Sequence, residues 1–341
     1  MTKMKVLAVK VAMLAFAVSA HAAETHTIRF SHFLSSNSFQ QKKIFEPWCE
    51  KISKESEGRL QCQIYPSMLL GGTPAKQADM VRNGVADIVW TAPSFSAGKF
   101  PRIEAVEQAF LLPYGSRKSN QIIWNFYQQY AADDFKGYKV LALHGDGGMS
   151  FHTRNKPVRT IEDLSGMRVR TSSRASSAVV DQLGAVPVTM PPPQMTEALS
   201  KGVIDGVLFS WANIRDVKVD EVTDYHSDNT AGYLAPSQTV LGMLMSQKTY
   251  TKLPDDLKAV IDRNSGQALV DMISGVWEQA LVDAHAAMPA DKVVKIEESE
   301  YQRIQDAAVP ARQQWVTDVS EKGIDGDSLI EGIRRISSEV R

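Results

Sequence analysis

The strongest constraint on the fold is a recurring unit: an amphipathic stretch stops at a glycine and runs on into a short apolar strand. It appears at 40–57 with Gly58 and a strand at 59–65, and at 74–83 with Gly84 and 86–90. It returns at 176–183 with Gly184 and 186–190, and at 194–200 with Gly202 and 205–209. Glycine is the residue that closes a helix in the left-handed conformation. Further strands are read at 27–33, 140–144 and 167–171, with a short helical turn at 161–164 before Gly166. Alternating helices and strands predict an α/β fold, a mostly parallel sheet covered by helices.

One unit occurs twice. Gly84-Val85-Ala86-Asp87 leads into Ile88-Val89-Trp90, and Gly202-Val203-Ile204-Asp205 leads into Gly206-Val207-Leu208-Phe209. The two lie 118 residues apart, about one domain length. Two readings stand: any pair of αβ turns looks alike, or the chain holds two similar lobes. In the second, Trp90 and Phe209 sit at carboxyl ends of strands, where open α/β sheets bind ligands, and face each other across a cleft. The same aromatics also suit core packing.

The last third is helical. From Pro254, with Asp255 and Asp256 suited to a first turn, apolar residues recur at helical spacing through Leu257, Val260, Leu269, Ile273, Trp277 and Leu281. As one helix of 34 residues it would be roughly 50 Å long, enough to run along both lobes. Gly266 or Gly275 could bend it. Further helix is expected at 298–315 and 328–338.

The amino terminus reads as an address. Lys3 and Lys5 precede an Ala-rich apolar run ending in Ala20-His21-Ala22, the pattern of a cleaved secretory leader over 1–22. The clean apolar run, 11–20, falls short of the roughly 20 residues a bilayer requires. The leader carries three of the 38 basic residues and no acid, so the exported chain has 35 against 39 acidic residues, a net −4. No basic excess favours nucleic acid. Export places the two cysteines in an oxidising compartment. Cys49 falls late in a helix and Cys62 in the strand that follows a tight turn, so they form either a disulfide or a pair of buried thiols.

Catalytic patterns are scarce. There is no dinucleotide or nucleotide phosphate loop, no G-x-S-x-G and no H-E-x-x-H. Gly145-Asp146-Gly147-Gly148 follows a strand but lacks the lysine and the helix that phosphate binding uses. His144 and His152 flank it; a pair without a carboxylate is thin ground for a metal, and hydrogen-bonded loop or lining roles compete. No metal and no cofactor are expected. Arginine is more informative. Met167-Arg168-Val169-Arg170-Thr171 carries two arginines at period two, on one face of a strand that helices should cover. Arg170 is nearer the carboxyl end, and guanidinium is a rigid, permanently charged fork for a carboxylate. The competing reading is a surface ion pair of either arginine with Asp163 or Asp181.

Taken in order, these residues resemble a family. The marks are Gly58-Arg59-Leu60, Tyr65-Pro66-Ser67, Leu70-Gly71-Gly72, Gly84-Val85-Ala86-Asp87, Lys156-Pro157-Val158, Asp163-Leu164-Ser165-Gly166-Met167-Arg168-Val169-Arg170, Gly202-Val203-Ile204-Asp205-Gly206 and Tyr250 with Leu253-Pro254. The chain is similar to the solute-binding proteins of tripartite ATP-independent periplasmic (TRAP) transporters, of the C4-dicarboxylate-binding (DctP) type. The resemblance implies a two-lobed periplasmic solute-binding fold, with mixed sheets flanked by helices and a long helix spanning both lobes. It implies lobes at 23–147 plus 240–279 and 148–239 plus 280–341, hinged near Gly147-Gly148 and 235–239. It implies a soluble, monomeric receptor that closes on a small organic anion and delivers it to membrane permease subunits, without catalysis.

The family's clamping arginine corresponds to Arg170. Some relatives carry a second arginine just before T-x-x-K-P, where Ser150 stands here, or His152 after a slip of one or two residues. Phe209 and Trp211 replace polar contacts of other relatives, and Trp90 and Phe95 follow the matching strand, with Phe33 at the end of the first. The expected ligand is therefore a monocarboxylate with an apolar, cyclic or aromatic body. A periplasmic hydrolase or isomerase, or a ligand sensor, on the same frame are the alternatives.

Overall fold

The structure is a computed structural model that describes residues 24–228 and 232–340. The leader expected at 1–22 lies outside the described residues. The first half contains β1 (His26–His32), α1 (Glu46–Glu55), β2 (Leu60–Tyr65), α2 (Gln77–Arg82), β3 (Ile88–Thr91), α3 (Ser116–Phe126) and β4 (Tyr138–Gly145). The middle contains β5 (Met149–Thr153), β6 (Arg168–Thr171), α4 (Arg174–Gln182), β7 (Val186–Thr189), α5 (Met195–Ser200), β8 (Gly206–Ser210) and β9 (Tyr225–Ser227). Then come β10 (Val240–Ser246), α6 (Gln247–Lys252), α7 (Asp255–Arg263), α8 (Gln267–Ala287), β11 (Val293–Val294), α9 (Glu298–Ala307), α10 (Val309–Ser320) and α11 (Gly326–Glu339).

The strands form two sheets, ordered β2-β1-β3-β10-β4 and β11-β9-β5-β8-β6-β7. Both are mixed. β1 runs parallel to β2 and β3, and β6 parallel to β7 and β8, as helix–glycine–strand units dictate. β10 and β5 run antiparallel to their neighbours. These two strands follow the two places where the chain crosses between sheets. The first crossing is only Asp146-Gly147-Gly148; the second lies in the stretch between β9 and β10. Gly147 and Gly148 have φ of 82° and 93°, which glycine adopts without steric cost. A Cβ on Gly148 would lie 2.7 Å from the Tyr114 ring and 2.9 Å from Ala235 Cβ.

The doubled sequence unit gives a doubled constellation. Asp87 accepts the Arg29 backbone N–H (2.9 Å) and Nε (2.9 Å), while the Asp87 N–H donates to the Arg29 carbonyl (2.9 Å). Asp205 does the same to Arg168, with N–H and Nε at 2.9 Å and a return bond of 2.8 Å. Each Asp pins a strand to its neighbour in its own sheet. Arg168 is thus spoken for, by Asp205 rather than Asp163 or Asp181.

The long carboxyl-terminal helix is broken. Gly266 (φ 67°) separates α7 from α8, while Gly275 stays inside α8. The break is held from outside: the Gly266 N–H donates to the Leu141 carbonyl (2.7 Å) and Trp48 Nε1 to the Asn264 carbonyl (2.7 Å). At 21 residues α8 is roughly 32 Å long. It packs on α3 and β4 of the first sheet's layer and on the turn Trp211–Asn213 after β8, so it spans both layers. α10 packs on α4, whereas α11 returns to α3. The tail 280–341 is therefore shared between the two layers, not confined to the second. The Cys49 and Cys62 sulfurs are bonded, with the Cα atoms 5.7 Å apart, and fasten α1 to β2. Among the described residues, no helix is long and apolar enough to cross a membrane.

Candidate functional site

Between the sheets lies a cavity lined by both. Its first-sheet wall is aromatic: the Phe33 and Trp90 rings stack with centroids 5.0 Å apart, and Phe95 meets Phe33 edge-on at 5.5 Å. Trp90 is oriented by its Nε1, which donates to His144 Nε2 (3.1 Å); the other ring nitrogen of His144 donates to the Gly145 carbonyl (2.9 Å). These bonds fix a neutral His144, and burial holds its pKa down at about 4. The facing wall is Phe209, at the carboxyl end of β8, with Arg170 from β6 beside it. The guanidinium carbon lies 5.4 Å from the Phe209 centroid, within cation–π range.

Arg170 is fully buried. Its Nε donates to the Met190 carbonyl (2.9 Å), but neither terminal nitrogen has a hydrogen-bond partner. Among the described residues, no carboxylate lies within salt-bridge distance of it. Burial lowers its pKa to about 9, against the attraction of Asp146. A buried guanidinium with two unpaired nitrogens is a costly arrangement in a folded chain. A carboxylate is the bidentate acceptor that would complete it.

The remaining polar lining comes from Asp146, Ser172, Asn213 and Thr239. Ser172 and Thr239 hydroxyls lie 3.2 Å apart, joining the end of β6 to the second crossing. Asn213 accepts from Gln40 Nε2 (2.5 Å), and Asp216 accepts from the Phe39 N–H (3.0 Å), so the two layers are drawn together over the cavity. A wider space along Pro191-Pro192-Pro193, Ser35, Ser38 and Met68 adjoins the cavity through their shared lining residues.

Of the residues read from sequence, Phe33, Trp90, Phe95, Arg170 and Phe209 line this cavity. Ser150, His152 and Trp211 do not. β8 stops at Ser210, and Trp211 opens a tight turn, which breaks the alternation that would have put it beside Phe209. Its Nε1 donates to the Ser227 carbonyl (3.0 Å) and its ring stacks on His285 at 4.1 Å. His152 is taken by the Phe209 carbonyl (3.2 Å) and by His226 (3.0 Å between the Nδ1 atoms). Because the carbonyl can only accept, His152 donates from Nε2 and its Nδ1 accepts from His226. The Ser150 hydroxyl donates to Tyr114 (3.3 Å). Neither supplies a second charge beside Arg170. Asp146, Ser172, Asn213 and Thr239 went unread because they sit just past strand ends or in crossings, where period-two reasoning gives no direction.

Two mixed α/β sheets joined by short crossings, closed over a cavity with a buried arginine, define a two-lobed solute-binding protein. The chain belongs to bacterial extracellular solute-binding protein family 7 (DctP), whose profile matches residues 30–318. It is 36% identical to a TRAP solute-binding protein of Rhodoferax ferrireducens crystallised with copurified benzoate, covering 92% of this chain and 98% of that one at a TM-score of 0.88. It is 32% identical, with TM-score 0.88 and coverage of 93% and 99%, to a marine metagenome TRAP solute-binding protein specific for aromatic acids, crystallised with 3-hydroxybenzoate. It is 25% identical over 276 residues, 78% of each chain, to the C4-dicarboxylate-binding periplasmic protein DctP of Rhodobacter capsulatus.

Proposed function

We propose that this protein is the periplasmic receptor of a TRAP transporter for an organic monocarboxylate with an aromatic or cyclic body. The observation that carries the reading is the Arg170 guanidinium, its two terminal nitrogens unpaired in a cavity walled by Phe33, Trp90, Phe95 and Phe209. The carboxylate docks on Arg170 and the ring lies between the two aromatic walls. Benzoate and 3-hydroxybenzoate in the relatives above have that shape and charge, which supports the assignment. The leader at 1–22 directs export. The lobes, 23–147 with 240–279 and 148–239 with 280–320, close about the two crossings, and α11 stays docked on the first. The closed protein, a monomer, presents the solute to the membrane permease and does not transform it.

A thermal-shift panel of benzoate, hydroxybenzoates, mandelate, hexanoate, succinate and benzamide tests this. Binding stabilises by RT ln(1 + [L]/Kd), so ligands rank by affinity. Aromatic monocarboxylates are expected to give the largest shifts, succinate less, and benzamide none. Equal shifts from benzamide and benzoate, or chemical turnover of a bound acid, would overturn the reading.

A further inference from the structure

The cavity holds a buried acid as well as a buried base. Asp146, in the first crossing, is 3% exposed and is the one carboxyl among the described residues that lines the cavity with Arg170. Its Oδ1 accepts from the Gly148 N–H (3.1 Å), and the Thr239 amide and hydroxyl favour its ionised form from the second crossing. It makes no ion pair among the described residues. The titratable groups around it are few. Arg170 faces it from β6; Tyr114, whose hydroxyl donates to the Met149 carbonyl (2.7 Å), approaches from the loop before α3; neutral His144 precedes it on β4. Beyond Gly147, Glu278 and His285 of α8 and Asp228 line a separate cleft.

Charge counting then becomes decisive. Arg170 and ionised Asp146 together leave the space neutral. A monocarboxylate docking on Arg170 would make it net negative, with two anions sharing one cation in a closed region of low dielectric. Uncompensated charge there is expensive, and a proton is the smallest species that removes it. Burial already holds the Asp146 pKa up at about 6, so the second anion has only to push it further. Resting on the monocarboxylate assignment above, we propose that anion binding on Arg170 loads one proton from solvent onto Asp146. The filled cavity then holds guanidinium, ligand carboxylate and a neutral acid. No other bond forms or breaks. The new O–H adds a donor to a cavity whose ligand brings acceptors.

The test is calorimetry of the whole protein with benzoate, in phosphate and Tris buffers of different ionisation enthalpy. At about pH 7.5 close to one proton should be taken up per benzoate, falling toward zero near pH 5, and Kd should weaken by up to tenfold per unit between about pH 7 and 8. Asp146→Asn keeps an acceptor for the Gly148 N–H. It is expected to bind benzoate with no proton uptake and a flat pH profile. Wild-type binding without buffer dependence at about pH 7.5, or equal uptake by Asp146→Asn, overturns the proposal and leaves the monocarboxylate reading intact. No benzoate binding at either pH overturns that reading and this proposal with it. If Asp146→Asn does not fold, the wild-type buffer series decides alone.

Discussion

Burying Arg170 with two unpaired nitrogens works against folding, and that separates binding from stability at this residue. Each buried donor left unpaired costs about 1–3 kcal/mol. Arg170→Met, close in length and apolar, removes those donors. It leaves the Met190 carbonyl short of a partner and Asp146 without its facing cation, so the comparison belongs at about pH 5, where Asp146 is protonated and neutral. The empty variant should therefore melt at or above the wild-type temperature. Its benzoate affinity should fall by about 2–5 kcal/mol, the loss typical when one partner of a buried charge pair is removed. Differential scanning calorimetry with and without benzoate measures both; a variant that melts lower yet keeps its ligand shift would make Arg170 a structural residue. Arg170, Trp90 and Phe209 could be placed from sequence because they lie near the carboxyl ends of β6, β3 and β8, where alternation fixes a face, whereas Phe33 and Phe95 lie just beyond β1 and β3. Trp211 misled for the same reason, since the strand ends one residue before it. Asp146 was in plain view beside Gly147-Gly148, but a loop residue's direction depends on the φ of its neighbours, which sequence spacing does not encode.

At the scale of elements, every helix–glycine–strand unit read from the sequence is present, because the glycine stop and the apolar run after it are local properties. β5 and β10 were not read. Each is a continuous buried run that meets its neighbours antiparallel across a crossing, so its partners are distant in sequence. The break at Gly266 likewise depends on Leu141 and Trp48, far away in the chain. The first crossing yields a matched pair of variants. Gly148 and Gly137 share a φ of 93°, but a Cβ on Gly137 would meet nothing within 4 Å, whereas one on Gly148 would strike Tyr114 and Ala235. Gly137→Ala should cost about 1–2 kcal/mol of backbone strain, and Gly148→Ala about 1–3 kcal/mol more from overpacking. Urea denaturation resolves the two. Equal losses would mean that the crossing has room, and that the close approach of Tyr114 is not what demands glycine. Reducing the Cys49–Cys62 bond should cost about 3 kcal/mol, as expected for a short closed loop, read as a lower urea midpoint in dithiothreitol.

Over the whole molecule, buried ionisable groups shape stability against pH, and their signs oppose. Burial holds His32, His144 and His226 down at about 4, and His152 well below its ordinary value, so all four are neutral in the fold. Their unfolded pKa is 6.5. Between about pH 6.5 and 4 the unfolded chain binds protons that the native state refuses, so stability falls as pH falls. Burial pushes Glu107 the other way, up to about 8 from an ordinary 4.5. Its Oε1 accepts from the Ser94 hydroxyl (3.0 Å) and the Val240 N–H (2.9 Å), while Oε2 has no partner. The native state keeps this proton after the unfolded chain has lost it, so stability declines as pH rises toward 8. Asp146, held near 6, completes its contribution before the alkaline limb begins. The ligand-free protein should thus be most stable at about pH 7, where the protons still bound by the unfolded histidines balance the one held by native Glu107. It should lose up to about 1.4 kcal/mol per pH unit between there and pH 8, the value of one proton. Glu107→Gln, neutral at every pH and the same size, should flatten the alkaline limb and, because the native Glu107 proton opposes the histidines from about pH 4.5 upward, steepen the acid limb above that pH. A melting series across pH 4 to 9 checks both limbs, and an alkaline decline that persists in Glu107→Gln would place that proton elsewhere.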